Sequence, residues 1–368
     1  MAASTPAAAG CAARSASRWR RCSAALALAL ATVGAAAPTV GLAAVRWQDP
    51  ARAAWGTDGP RPVAALLWYP TADGATEEDW RVPPFEPLRV AVGAAPAPGR
   101  RPLVLLSHGT GGSAASLGWL AHELAAAGYL VAALNHHGNT ATEPETRLEG
   151  FVAWWERPLD LRLAVDRLLA DPVWGPRIDV GRIGVAGFSL GGLTALASVG
   201  AQPRWAAWRA ACAAAPATPG CALPPEAAAR WTLADVDALW RSEGFAPSLA
   251  RADAELHDAR VRAAFAIAPA MSAAVSLAPL AVPVEVVVGE ADDQVDLADL
   301  RAWGGVPGVS VERLPGVTHY AFLMGCGLRG RLFSATICRD PAGLDRARLH
   351  ADTAVRARAF FDRELAPR

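Results

Sequence analysis

Three side chains that together could carry out nucleophilic catalysis occur in this chain in the order Ser189, Asp292, His319. Ser189 sits in Gly187-Phe188-Ser189-Leu190-Gly191, a Gly-x-Ser-x-Gly string behind an apolar, strand-like run and ahead of a helix-like run of small residues. A chain that reverses from strand to helix in so little length has no room for flanking side chains. Gly187 and Gly191 remove them, and the serine is held out on a strained turn. A free hydroxyl is a poor nucleophile at neutral pH, so the string has chemical meaning only with a base to take its proton and an acid to orient that base.

The acid comes from Val284-Glu285-Val286-Val287-Val288-Gly289-Glu290-Ala291-Asp292-Asp293, a β-branched run ending in a glycine and two adjacent aspartates. Parallel strands present their C-terminal ends on one edge of a sheet, so a carboxylate just past such a strand shares the serine's edge. Asp292 is the expected acid and Asp293 the neighbouring alternative. The base comes from Val309-Ser310-Val311-Glu312-Arg313-Leu314 and the loop Pro315-Gly316-Val317-Thr318-His319-Tyr320, which carries a single histidine. A fourth element is electrostatic. The run Leu103 to Ser107 leads into His108-Gly109-Thr110-Gly111-Gly112, a glycine-rich loop suited to an oxyanion hole. The backbone amides of Thr110 and of Leu190, the residue after the nucleophile, are the expected donors to a tetrahedral intermediate.

Each piece also has an ordinary explanation. A chain with 33 glycines yields Gly-x-Ser-x-Gly by chance, a loop histidine is usually solvated or packed, and Gly-Glu-Ala-Asp-Asp is usually a turn. Their joint occurrence, each behind a strand signal and in this order, carries the assignment. His136 and His137 end another strand-like run, and one of them is expected to line the pocket. Trp154-Trp155-Glu156-Arg157 is expected to order the loop beneath the site through an ion pair, with surface decoration as the alternative.

The elements that must position these groups follow from hydrophobic periodicity. Strands are expected at 63–68, 103–107, 130–135, 183–186, 263–267, 284–288 and 309–314, with helical patterns between them. That alternation implies a mostly parallel sheet covered on both faces. The clearest helix runs from Asp160 to the Asp171-Pro172 stop. Leu161, Ala164, Val165, Leu168 and Leu169 form its apolar stripe, while Asp160, Arg162, Asp166 and Arg167 are expected to face elsewhere. Residues 202–258 break the rhythm with Trp205, Trp208, Trp231, Trp240 and a cysteine pair. Their place between the serine's helix and the next strand suits a helical cap whose aromatic side chains wall the pocket, and a solvent-facing helical subdomain is the equal alternative.

The pattern Leu-Ser-His-Gly-x-Gly-Gly, Asn135-His136-x-Gly138-Asn139-Thr140, Arg157-Pro158-x-Asp160, Gly187-Phe188-Ser189-x-Gly191-Gly192 and Gly289-Glu290-Ala291-Asp292-Asp293 resembles the bacterial predicted dienelactone hydrolases. These are exported relatives of platelet-activating-factor acetylhydrolase. The resemblance spans roughly residues 45–364 and implies an α/β-hydrolase fold with a Ser-Asp-His triad at Ser189, Asp292 and His319. True dienelactone hydrolases carry cysteine in the elbow, so Ser189 favours ordinary ester chemistry.

At 368 residues the length permits two domains, yet one elaborated α/β domain, residues 45–368, accommodates it. A hydrophobic content of 52%, a charged content of 19% and zero formal net charge suit a buried globular core and argue against a nucleic-acid partner. All 35 basic residues are arginine, which points to biased codon usage rather than to function. Arg18, Arg20 and Arg21, the apolar stretch from Ala24 to Val33, and Gly41-Leu42-Ala43-Ala44 read as an export signal over residues 1–44. The expected location is secreted or periplasmic, with no stable membrane span after cleavage. An uncleaved anchor over residues 23–45 is the competing reading.

With Cys11 and Cys22 removed in the signal, Cys212, Cys221, Cys326 and Cys338 form two sequence-local pairs. Local pairing joins Cys212 to Cys221 and Cys326 to Cys338; spacing does not fix the connectivity, and four reduced thiols are the alternative. No zinc-type spacing is present, and the chemistry requires no metal or organic cofactor. The sequence therefore predicts hydrolysis of a small-molecule or lipid ester through an acyl-enzyme. A peptidase or amidase on the same fold, or a non-catalytic binding protein, is the alternative.

Overall fold

The computed structural model describes residues 39–216, 221–277, 280 and 282–367. Ten strands form one sheet: β1 (Val40–Ala53), β2 (Pro60–Pro70), β3 (Glu78–Trp80), β4 (Leu88–Val92), β5 (Arg101–Ser107), β6 (Leu130–Asn135), β7 (Ile178–Phe188), β9 (Val261–Ile267), β11 (Val284–Gly289) and β12 (Val309–Leu314). Two short strands, β8 (Gln202–Pro203) and β10 (Val275–Ser276), pair separately. The order across the large sheet is β12-β11-β9-β7-β5-β6-β2-β1-β4-β3.

From β6 through β12 every neighbouring pair is parallel, whereas β2 joins β6 and β1 antiparallel. The parallel strands are apolar almost end to end because both faces are covered; Leu103 to Leu106 and Val286 to Val288 are buried. Helices α1 (Gly118–Ala126), α2 (Leu148–Val152), α3 (Glu156–Ala170), α4 (Leu190–Ser198) and α12 (Arg346–Glu364) belong to this core. The stretch between α4 and β9 holds α5 (Trp205–Ala214), α6 (Pro225–Ala228), α7 (Leu233–Trp240) and α8 (Ala246–Leu249). Helix α9 (Leu297–Trp303) packs on β12, whereas α10 (Leu328–Phe333) and α11 (Ala335–Cys338) follow β12 in the chain, with Gly330 against Pro84.

All seven expected strands are present, two with the expected bounds. Strands β1, β3 and β4 of the large sheet, and the short pair β8 and β10, have no counterpart among the expected strands. Residues Val40 to Ala44, expected within the export signal, pair with Leu66 to Pro70 of β2. A boundary at residue 44 would therefore cut into a strand whose first residues, Val40 and Leu42, are core. Residues 1–38 of the expected signal lie outside the described residues.

Helix α3 begins at Glu156 rather than Asp160, and Asp160 does not face solvent. Its carboxylate accepts from Arg61 Nε at 2.8 Å and Arg61 Nη2 at 3.0 Å, and Arg52 Nη2 lies 2.8 Å away. A buried carboxylate is tolerated only with such partners. Helical spacing placed Asp160 on a polar face, but its guanidinium partners come from β1 and β2.

Candidate active site

Strand β7 delivers the chain to Ser189, whose backbone adopts φ 55° and ψ −120°, a conformation that only a surrounding scaffold can impose on a residue with a side chain. The reversal is as tight as the glycines suggested. A Cβ on Gly187 would run into the backbone of Gly191, and one on Gly191 into the carbonyl of Ser107. Ser189 N–H donates to Ile267 O of β9 at 2.9 Å, and Ser189 O accepts from Leu193 N–H at 3.1 Å and Ala270 N–H at 3.2 Å. The strain is thus locked into the sheet and into α4.

The loops that carry Asp292 and His319 are bound to each other as well as to the sheet. Glu290 N–H donates to Leu314 O at 2.9 Å, and Ala291 N–H to Val317 O at 3.1 Å. A Cβ on Gly289 would collide with the Val317 carbonyl, so a glycine is needed there for the two loops to approach. In consequence, His319 Nδ1 lies 2.7 Å from Asp292 Oδ2 and His319 Nε2 lies 3.0 Å from Ser189 Oγ. The carboxylate fixes the proton on Nδ1, which leaves Nε2 free to accept the serine hydroxyl. Asp292 Oδ1 accepts from Gln294 N–H at 2.9 Å. Asp293, the alternative acid, is exposed and makes no bond to His319. All three interacting side chains are buried, and the Phe188 ring lies 4.7 Å from the imidazole.

Thr110 and Leu190 line the same cavity as Ser189. In the loop of Thr110, Gly111 N–H is taken by Asn139 Oδ1 at 2.5 Å and Gly112 N–H by Gly109 O at 3.2 Å. Thr110 N–H donates to no acceptor among the described residues. Leu190 is the first residue of α4, where an N–H has no intrahelical partner and the helix dipole favours negative charge.

The cavity encloses about 700 Å³. Its apolar walls include Phe85, Phe151, Leu223, Met271, Leu323 and Ile337. Among the described residues its ionisable side chains are His319, Glu226, Asp293 and Tyr320, and no arginine lines it. Glu226 accepts from Tyr320 Oη–H at 2.9 Å, and burial, with Glu226 beside it, pushes the Tyr320 phenol up to about 12.

Residues 222–226 reach this cavity, but the four tryptophans of the 202–258 stretch do not line it. Trp205 packs on Trp155, Trp208 and Trp240 at 5.0, 4.7 and 5.6 Å, and Trp231 packs on Phe151 at 5.4 Å. They hold the stretch together and onto Phe151 of α2 and Trp155 just before α3, which leaves the wall to proline, alanine and leucine. Cys212 is joined to Cys221 and Cys326 to Cys338. The second bridge ties α11, and with it Ile337, to the loop after His319.

Neither His136 nor His137 lines the cavity. His136 is fully buried, with Nδ1 3.0 Å from Asp160 and Nε2 2.8 Å from Ser107 Oγ. Burial and the Arg157 guanidinium push it down to about 4, so it is neutral there. His137 Nε2 accepts from Trp55 N–H at 2.8 Å while Nδ1 meets Glu143 at 2.8 Å. Arg157 does order the loop above it, through a 2.6 Å hydrogen bond to the His108 carbonyl rather than through an ion pair with Glu156. Glu156 instead meets Arg52 at 3.1 Å and Arg251 at 2.6 Å.

Comparison with known proteins agrees with this geometry at the level of fold. The family model Hydrolase_4, described as serine aminopeptidase, S33, matches residues 98–303, a span that includes Thr110, Ser189 and Asp292 and ends before His319. No curated protein matches the chain. Among solved structures, a ferulic acid esterase from Streptomyces cinnamoneus is similar with a TM-score of 0.62, at 24% identity, over 90% of this chain and 93% of that one. The fold is that of the α/β-hydrolases, a mostly parallel sheet flanked by helices.

Proposed function

The chain belongs to the Hydrolase_4, serine aminopeptidase S33, family, and from that premise we propose that it is an exported serine esterase working through an acyl-enzyme. The observation that carries the proposal is the His319 imidazole lying 3.0 Å from Ser189 Oγ and 2.7 Å from Asp292, with Ser189 and His319 both lining the cavity. In the first half-reaction His319 takes the hydroxyl proton as Ser189 attacks the ester carbonyl. The imidazolium, steadied by Asp292, then gives that proton to the departing alcohol. Thr110 and Leu190 amides hold the oxyanion, worth about 3 to 4 kcal/mol of barrier per donor. Water repeats the sequence on the acyl-enzyme and regenerates the free serine.

The cavity's composition narrows the substrate. Apolar walls and two carboxylates, with no arginine, favour an uncharged acyl group over an anionic one. The resemblance to relatives of platelet-activating-factor acetylhydrolase puts short-chain lipid esters in the first test panel, and the ferulic acid esterase neighbour adds esters of ferulic acid. A peptidase reading is favoured by one feature, the Glu226 and Asp293 carboxylates, which suit a substrate amino group. Residues 202–258 act in this proposal as the cap.

Export is supported by the Arg18, Arg20, Arg21 and Ala24 to Val33 pattern and by the two disulfides, which persist in oxidising compartments. Signal cleavage falls before Val40, so that β1 stays whole, and Ala35-Ala36-Ala37 offers the small residues it needs. Among the described residues no helix is long and apolar enough to cross a membrane.

The test is covalent labelling by a fluorophosphonate, with Ser189→Ala as control, followed by turnover of p-nitrophenyl esters against aminoacyl anilides. Labelling at Ser189 with ester preference is expected. Anilide preference would transfer the assignment to the peptidase, and an unlabelled wild type would favour a binding protein.

A further inference from the structure

The loop that carries Thr110 is held from behind by side chains that never reach the cavity. The Gly109 carbonyl lies 2.6 Å from His108 Nδ1 and accepts from Gly112 N–H at 3.2 Å. The preceding carbonyl, that of His108, accepts from Arg157 Nη1 at 2.6 Å. The following amide, Gly111 N–H, is fixed by Asn139. His108 itself is buried and does not line the cavity.

The geometry of one peptide unit makes these contacts consequential. The Gly109 carbonyl and the Thr110 N–H belong to the same planar trans peptide, so they point in opposite directions. Gripping the carbonyl on its buried side therefore turns the N–H to the other side, where Thr110 meets the cavity and Ser189. The loop has little slack, since a Cβ on Gly109 would stand 3.2 Å from Ser189 Cβ and 2.9 Å from the Phe188 ring.

His108 can grip a carbonyl only with its proton on Nδ1. The His136 backbone N–H points at His108 Nε2 at 3.2 Å, so that nitrogen must present its lone pair and the proton resides on Nδ1. The carrier of that amide is itself anchored. His136 Nδ1–H donates to Asp160 at 3.0 Å, and its Nε2 accepts from Ser107 Oγ–H at 2.8 Å, at the end of β5. Burial, then Arg157 and His136, hold the His108 imidazole well below its ordinary pKa, and it remains neutral.

We infer that His108 is a positioning residue for the oxyanion hole: its Nδ1–H, aimed by the His136 amide, holds the Gly109 carbonyl and thereby points the Thr110 N–H at the developing oxyanion, while Arg157 clamps the main chain beside it. Arg157 and Asp160, two positions of the Arg-Pro-x-Asp motif, thereby gain a role in catalysis without touching substrate.

The inference rests on the reading of Ser189 as the nucleophile, so its experiment has two arms, of which one is independent of turnover. In the first, His108→Asn and His108→Gln are compared on a p-nitrophenyl ester. Asparagine offers its amide N–H at the place of Nδ1, glutamine at the place of Nε2. His108→Asn keeps kcat within about tenfold of wild type, whereas His108→Gln loses about 100-fold or more with KM little changed. Equal losses in the two variants, or a loss residing in KM, overturn the inference.

The second arm uses the wild-type protein and so survives any folding failure of the variants. Nitrogen-15 NMR of the imidazoles at neutral pH shows His108 as a neutral Nδ1–H tautomer. An Nε2–H tautomer overturns it. If wild type fails to label with fluorophosphonate while the Nδ1–H tautomer is present, the proposed function fails and the loop clamp stands as a structural feature.

Discussion

The His319 imidazole and the Asp292 carboxylate meet at 2.7 Å although 27 residues separate them, because β11 and β12 run parallel in register and end side by side. The pairing decides the tautomer as well as the position of the imidazole. Asp292→Asn is therefore expected to leave the fold intact and to lower kcat by about 10⁴-fold, since an amide can stabilise the wrong tautomer and cannot steady an imidazolium. Asp293→Asn, altering an exposed side chain next door, should stay within about threefold of wild type. Steady-state kinetics of the two variants decide between these outcomes; equal losses would remove Asp292 from its role.

Backbone strain at Ser189, the proposed nucleophile, predicts an exchange of stability for activity. Ser189 holds φ at 55° and ψ at −120°, which glycine adopts without penalty. Ser189→Gly should abolish labelling and turnover yet raise stability by about 1 to 2 kcal/mol in urea unfolding. Gly191→Ala should do the reverse, since its Cβ meets the Ser107 carbonyl. The expected result there is a lower melting temperature or loss of folded protein.

The two disulfides differ in what they hold. Replacing Cys212 and Cys221 by serine frees a surface stretch and should cost about 2 to 3 kcal/mol of local or global stability. Replacing Cys326 and Cys338 loosens the segment bearing Ile337, a cavity wall, and should raise KM more than it lowers kcat. Thiol titration of the purified protein before and after reduction, followed by kinetics, checks both.

Buried neutral histidines set an acid limit on stability. Burial pushes His136 and His350 down to about 4 from an unfolded value near 6.5. Between those values the unfolded chain binds more protons than the folded one, so stability is full above the unfolded pKa and falls as pH drops toward 4. His350 donates from Nε2 to Ala321 O at 3.0 Å and stacks on Trp119 at 4.3 Å. His350→Phe keeps the stack and removes one titrating group. The slope of unfolding free energy against pH, measured by urea titration, should then decrease by up to about 1.4 kcal/mol per pH unit within the window.

Much of the site was legible because its determinants are local. A strand-like run followed by Gly-x-Ser-x-Gly fixes where the chain reverses, and each of Asp292 and His319 follows its own apolar run. What hid from the sequence was everything held by distant partners. Asp160 lies at helical spacing among polar neighbours, and nothing near it discloses Arg61, 99 residues earlier, as its ligand. His136 ends a strand at the catalytic edge, yet whether its ring turns to the cavity or beneath the loop depends on Asp160 and Ser107, 24 and 29 residues away.

The sequence by itself therefore determined the layered α/β architecture, the chain order of Ser189, Asp292 and His319 and the glycines that let backbone pass backbone, since period, size and adjacency are properties of short stretches. The tertiary structure alone decided that Val40 to Ala44 are a paired strand, that Asp292 rather than Asp293 faces His319, that the tryptophans of residues 202–258 pack on other aromatic rings rather than line the cavity, and that His108, His136 and Arg157 lie behind the Thr110 loop. The physical reason is that a hydrogen bond is made or lost over a few tenths of an ångström, and separations along the chain carry no such information until the sheet has closed around them.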